Sequence, residues 1–115
     1  MRQIAIHASE GRVVCERCAV ANRPLTRMRG LLGRSTFDAD EGLLLKPAGS
    51  VHTFFMRFPI DAVFIDRDGQ VTRVVRDLPP WRLAGSRRAR TVLELPAGTC
   101  ARVGIASGTR LSFIE

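Results

Sequence analysis

The chain is predicted to be mostly β, an α+β protein built as a compact, small barrel-like antiparallel sheet with one or two short helices. Three observations predict this. Glycine and proline punctuate short segments along the whole sequence, which is the signature of short strands joined by frequent turns. Only one stretch repeats its apolar residues at helical spacing. An Asp-Arg-Asp-Gly tetrapeptide, residues 66–69, stands between two apolar runs and reads as a hairpin turn. With 115 residues the chain forms a single domain, 1–115, and can bury about two-thirds of its unfolded surface in one core. Its apolar share of 45% and charged share of 25% are those of an ordinary globular protein, which excludes disorder as the default.

The elements follow in order. Strands are expected near 3–7 and 12–20, the second being RVVCERCAV from residue 12. In RPLTRMRGLLGR, Leu25, Met28, Leu31 and Leu32 share a helical face, Pro24 suits a first turn and Gly33 a stop, predicting a helix over 24–32. Its apolar stripe needs a sheet to lie on. EGLLLKP predicts a buried strand at 42–46, and VHTFFMRF an aromatic strand or extended loop at 51–57, after which Pro59 has no N–H to give a ladder. IDAVFI and QVTRVVRDL flank the hairpin turn, in which Gly69 can take a positive φ. Two registers are open: a two-residue Asp68-Gly69 turn sets Asp61 opposite Arg76, whereas a four-residue loop pairs Phe64 with Val71 and Ile60 with Val75. A strand at 91–95, a turn or short helix over 97–101 and a last strand in RLSFIE complete the chain.

The densest apolar run, SVHTFFMRFPIDAVFID, carries His52, Arg57 and Asp61. An unpartnered polar group costs several kcal/mol to bury, so these three must be paired, at an edge, or lining a site. If 51–57 is a strand, His52, Phe54 and Met56 share one face and Arg57 lies on the other. His52 reads either as a histidine hydrogen-bonded to backbone at a sheet edge or as part of a shallow pocket with Arg57 and Asp61 at its rim. Asp61 reads as a cap for backbone N–H groups or as a partner for arginine. Trp81, after Pro79-Pro80, forms with Arg82 a lid or partner-contact knob, or folds back on the sheet.

Enzyme chemistry finds little support. His52 and Asp61 could serve as base and orienter, but Ser50, Thr53 and Cys100 stand in no context that activates a nucleophile. Cys15-Glu16-Arg17-Cys18 is a single C-x-x-C; zinc would need two further ligands, and residues three apart on a regular strand point to opposite faces unless the chain bulges. Three cysteines without a leader fit a reducing compartment. The net charge of +7 comes with a single lysine, Lys46, and arginines scattered along the chain, which favours solubility over a groove-reading surface. The tightest basic group is Arg82, Arg87, Arg88 and Arg90, a solvated turn or an anion-binding patch. The first residues lack a continuous apolar stretch and cleavage site, and no window is long enough to span a membrane, so a cytoplasmic protein with no membrane partner is expected.

In order along the chain, RGLLG at 29–33, GLLL at 42–45, HTFFMRFPIDAVFID at 52–66, Asp68-Gly69 and LELPAG at 93–98 resemble the DUF192 family, also called UPF0127, of small uncharacterised bacterial and archaeal proteins. The resemblance covers about residues 25–113. It implies a compact, mostly β, barrel-like fold with a helix or two, and no established activity. Where the family usually has Lys-Asn-Thr, this chain has Arg57, Phe58 and Pro59. The resulting expectation is a non-enzymatic binding module, without cofactor or metal, for a small ligand or a protein segment, with His52, Phe54, Met56, Arg57, Asp61, Arg29 and Trp81 as its binding residues. The alternatives are an enzyme or a metal or redox protein using His52 and Asp61 or Cys15 and Cys18, and an arginine-rich nucleic-acid contact.

Overall fold

The computed structural model describes residues 2–21 and 37–114. The helix predicted at 24–32, and Arg29 with it, lies outside the described residues. Within them the chain forms β1 (Arg2–Ala8), β2 (Val13–Ala21), β3 (Glu41–Leu45), β4 (Ser50–His52), β5 (Ile60–Ile65), β6 (Val71–Leu78), β7 (Leu83–Gly85), β8 (Thr91–Pro96), a short helix α1 (Thr99–Val103) and β9 (Leu111–Ile114). Seven strands make one sheet in the order β6-β5-β8-β3-β2-β1-β9, and β4 and β7 pair separately. Each neighbouring pair is antiparallel except β2–β3. The sheet curls until its two edges touch, where Gln70, just before β6, bridges Arg110, just before β9. The curl removes most of the exposed edge that a flat sheet would present.

Two apolar layers hold this arrangement. The concave face collects Ile4, Ile6, Val14, Leu44, Val63, Ile65, Leu93, Leu95 and Leu111 from six strands, with Ile105 after α1. The convex face of β3, β5 and β8 collects Leu43, Leu45, Ile60, Ala62, Phe64 and Val92, with Val51 and Met56 packed over them. The three central strands are therefore covered on both sides, which explains why they read as continuous apolar runs instead of alternating ones. All six residues of β5 are buried.

The run at 51–57 departs from a regular strand. β4 stops at His52 because the chain turns at Phe54-Phe55, where the Met56 N–H donates to the Thr53 carbonyl at 3.2 Å and Phe55 has a φ of 66°. Met56 consequently faces the core and His52 faces solvent, so the two do not share a face. The centre of the hairpin takes the register of the two-residue Asp68-Gly69 turn, with Val63 opposite Val74 and Phe64 opposite Arg73, and departs from it at both ends. Asp66 Oδ1 accepts the N–H groups of Asp68 at 2.8 Å and Gln70 at 3.0 Å, and Gly69 takes a φ of 84° as expected. Ile65 pairs with Val71, Ala62 with Val75 and Ile60 with Leu78. Two irregularities absorb the difference, and the second leaves Asp61 facing the bulged residue Asp77, whose φ is 51°.

Candidate functional site

Among the described residues, the most exposed large apolar side chains gather on and beside the small β4–β7 pair. His52 and Leu83 lie opposite each other in that ladder, and both turn away from the barrel while Val51 packs against it. Beyond His52, Thr53 is fully buried and ties two loops together. Its N–H donates to the Arg82 carbonyl at 2.9 Å, and its carbonyl accepts from Trp81 N–H at 3.0 Å. Its hydroxyl donates to the Pro79 carbonyl at 2.6 Å and accepts from the Arg82 N–H at 2.9 Å. One threonine therefore clamps the 79–82 loop beside the Phe54-Phe55 turn.

The clamp brings four rings together in the open. His52 stacks on Phe54 at 4.9 Å between centroids, Phe54 on Trp81 at 5.9 Å, and Phe55 meets Trp81 at 4.6 Å. Phe55 stays 66% exposed, Trp81 55% and Leu83 70%, so the stacking does not hide them. Phe55 and Trp81 both sit in the left-handed region, with φ of 66° and 67°, a conformation that costs a bulky residue about 1–3 kcal/mol. The His52 Nδ1 accepts the Phe54 N–H at 3.3 Å. Arg57 and Arg82 are exposed on the same pair of loops.

The structure separates the other expected site residues from this face. Met56 is 5% exposed and belongs to the convex-face layer. Asp61 is fully buried, on the β5 face that carries Val63 and Ile65 into the barrel. Its Oδ1 accepts the Asp77 N–H and its Oδ2 the Cys100 N–H, both at 2.9 Å. Asp61 is thus not at a rim with His52, because the bulge at Asp77 and the start of α1 consume both of its oxygens. No hydrogen bond joins His52 to Asp61 as base and orienter. Thr53 is equally occupied as a clamp, and burial first, then Asp61, pushes the Cys100 thiol up to about 12.

Cys15 and Cys18 do come together. A bulge in β2 sets Ile6 opposite Cys15 and Ile4 opposite Cys18, so both thiols enter the concave core, each at most 1% exposed. A hydrogen bond with Cys15, and then burial, raises the Cys18 thiol far above its usual range. Gly42 leaves the room they need, since a Cβ there would lie 2.7 Å from Cys15 Sγ and 3.4 Å from Cys18 Sγ. Among the described residues, no three His, Cys, Asp or Glu side chains are grouped to hold a metal.

Phe55, Leu83 and Thr53 are site residues that the sequence reading missed; the signal was present in Phe54-Phe55 and in Pro79-Pro80-Trp81. Glu94 was missed as well. It is 4% exposed in β8, between Leu43 and Ala62, and desolvation lifts its carboxyl to about 8. One acidic residue inside Val-Leu-Glu-Leu-Pro is the signal that could have found it.

Comparison with known proteins places the whole arrangement. A family model described as an uncharacterised ACR family, DUF192, matches residues 5–113. The chain belongs to the DUF192 family. The DUF192 domain is similar to the crystal structure of a "putative transcription regulator" from Sinorhizobium meliloti 1021, at 27% identity and a TM-score of 0.84 over 96% of this chain and 92% of that one. It is also similar to a protein of unknown function from Novosphingobium aromaticivorans DSM 12444, at 21% identity and a TM-score of 0.82 over 96% of this chain and 83% of that one, a likeness of fold alone. No curated protein matches the chain significantly.

Proposed function

We propose that this DUF192 domain is a non-enzymatic binding module that captures a protein segment with apolar side chains flanked by carboxylates. The observation that carries this reading is the set of stacked, solvent-facing rings, His52, Phe54, Phe55 and Trp81, with two of them held at positive φ. Leaving that much aromatic surface in water forgoes burial worth about 25 cal/mol per Å², and strained backbone recurs where a partner is met. An open face suits a protein segment, because a small ligand needs walls that enclose most of its surface. Arg57 and Arg82 beside the rings, on a chain of net charge +7, make carboxylates the complementary flank.

Trp81 is the sole tryptophan, so its emission reports directly on this face. Titration with synthetic peptides carrying Leu, Phe or Trp between glutamates is expected to shift that emission to the blue and to saturate. Lysine-flanked versions of the same peptides are expected to leave it unchanged, and Phe55→Ala to weaken the response about tenfold or more. An unchanged emission with every peptide, or an equal response to both flanks, rejects the proposal. Duplex DNA, the partner suggested by the name of the Sinorhizobium protein, is the comparison arm, and a steeply salt-dependent response to it alone would replace the peptide reading.

A further inference from the structure

We infer that the seam of the barrel holds a second site, separate from the aromatic face, for a small phosphorylated molecule that also bears hydroxyl groups. The seam is where β6 and β9 approach through Gln70 and Arg110, and a cavity of about 430 Å³ opens beside it. That volume lies in the range of small-ligand sites. Its walls come from the hairpin (Asp66, Gln70), the start of β6 (Thr72), the 86–89 turn and the Ser107-Gly108 turn.

The donors are two arginines. The Ala89 N–H closes on the Ser86 carbonyl at 3.2 Å, which puts Arg87 and Arg88 at the two central positions of a tight turn. Both line the cavity and both are exposed, and among the described residues no hydrogen bond or ion pair engages either guanidinium. The turn itself is pinned. The Ser86 N–H donates to the Gly49 carbonyl at 3.0 Å, and the Ser86 and Thr72 hydroxyls lie 2.9 Å apart. Ser107 reaches the same place, donating to the Thr72 carbonyl at 3.2 Å. A pinned backbone turn thereby carries two planar, permanently charged donors into the lining of the cavity, and such paired guanidinium groups recognise phosphate oxygens.

Asp66 sets the second half of the ligand. Its Oδ1 is taken by the Asp68 and Gln70 N–H groups, while its Oδ2 meets no donor among the described residues and is left to accept a ligand hydroxyl. A bare phosphate would leave most of the cavity unfilled, whereas a sugar phosphate can place its phosphate on the arginines and a hydroxyl on Asp66. The smaller cavity of about 280 Å³ near Cys15 lacks this imbalance of charge, since Arg102 there faces Glu16 and an Asp40 that already takes both 2.8 Å bonds from Arg17.

The test titrates the full chain with inorganic phosphate, ribose 5-phosphate and ribose, following backbone amide shifts by NMR and heat by calorimetry. Expected are saturable shifts at Arg87, Arg88, Ser107 and Gly108 with both phosphates, tighter binding of ribose 5-phosphate, and none with ribose. Arg87→Ala and Arg88→Ala, both at exposed positions that leave the core intact, are each expected to weaken binding about tenfold. Arg102→Ala, which removes the same charge elsewhere, is expected to change it less than about twofold. Absence of saturable shifts with inorganic phosphate overturns the inference, and so does equal weakening by Arg102→Ala, which would mark a diffuse field. Duplex oligonucleotide that binds through Arg87 and Arg88 without displacement by ribose 5-phosphate also overturns it.

Discussion

Asp61 Oδ2 accepts the Cys100 backbone N–H at 2.9 Å inside the barrel, joining β5 to the start of α1, thirty-nine residues later in the chain. The same carboxylate takes the Asp77 N–H at 2.9 Å with its other oxygen, so one side chain satisfies the N-terminus of a helix and the bulge of a strand. Asp61→Ala leaves two N–H groups without acceptors and a void beside Cys100. It is expected to cost about 2 to 4 kcal/mol in urea unfolding at neutral pH, with Asp61→Asn, which keeps one acceptor oxygen, falling in between. Unfolding midpoints equal to wild type for both variants would contradict this role.

Thr53 holds the aromatic face through its hydroxyl as well as its backbone. Thr53→Val keeps the shape and removes the hydroxyl, leaving the Arg82 N–H and the Pro79 carbonyl to find water. A loss of about 1 to 3 kcal/mol is expected, together with a Trp81 emission spectrum moved toward that of a fully hydrated indole. A destabilised protein with unaltered emission would show that the two loops are held together by their rings instead.

Glu94 makes stability depend on pH. Its carboxyl titrates near 8 in the fold and near 4.5 when exposed, so between those values the folded state holds a proton that the unfolded state has released. Stability therefore falls as pH rises from about 4.5 to 8, with a ceiling of roughly 5 kcal/mol for the whole window. Glu94→Gln, neutral throughout, is expected to flatten that slope and to be more stable than wild type at pH 8 and above. Parallel pH–stability curves for the two proteins would remove Glu94 as the cause.

The thiols of Cys15, Cys18 and Cys100 are buried and free of disulfides. Ellman's reagent is expected to find none of the three in the native protein within minutes and all three after denaturation. Gly42→Ala drives a methyl group to 2.7 Å from Cys15 Sγ and is expected to cost about 1 to 3 kcal/mol. A Gly42→Ala, Cys15→Ala double variant removes the 2.7 Å contact, so the double should be more stable than the sum of the single losses.

The sequence by itself determined where most of the strands lie and where the β5–β6 hairpin turns. Most strands fall within a residue or two of their predicted bounds, and Gly69 takes the positive φ that its Asp-Gly context required. Those features are set by terms acting over a few residues: the absent Cβ of glycine, the missing N–H of proline, the period of apolar side chains. The ordered motifs from GLLL to LELPAG were equally legible, and they led to the family that the chain belongs to.

The tertiary structure decided which polar residues are buried and which aromatic ones are not. Nothing within a few residues of Asp61 announces that its partners are Asp77 and Cys100, nor does anything beside Thr53 name Pro79 and Arg82. A bulge in β2 put Cys15 and Cys18 on one face, against the two-residue period, and a turn at Phe55 cut short the strand that would have aligned His52 with Met56. Bulges and clamps of this kind are settled by contacts between segments distant in the chain. Local propensity fixes a strand's position, but only its neighbours in the sheet fix its register, and a shift of one residue exchanges core for solvent.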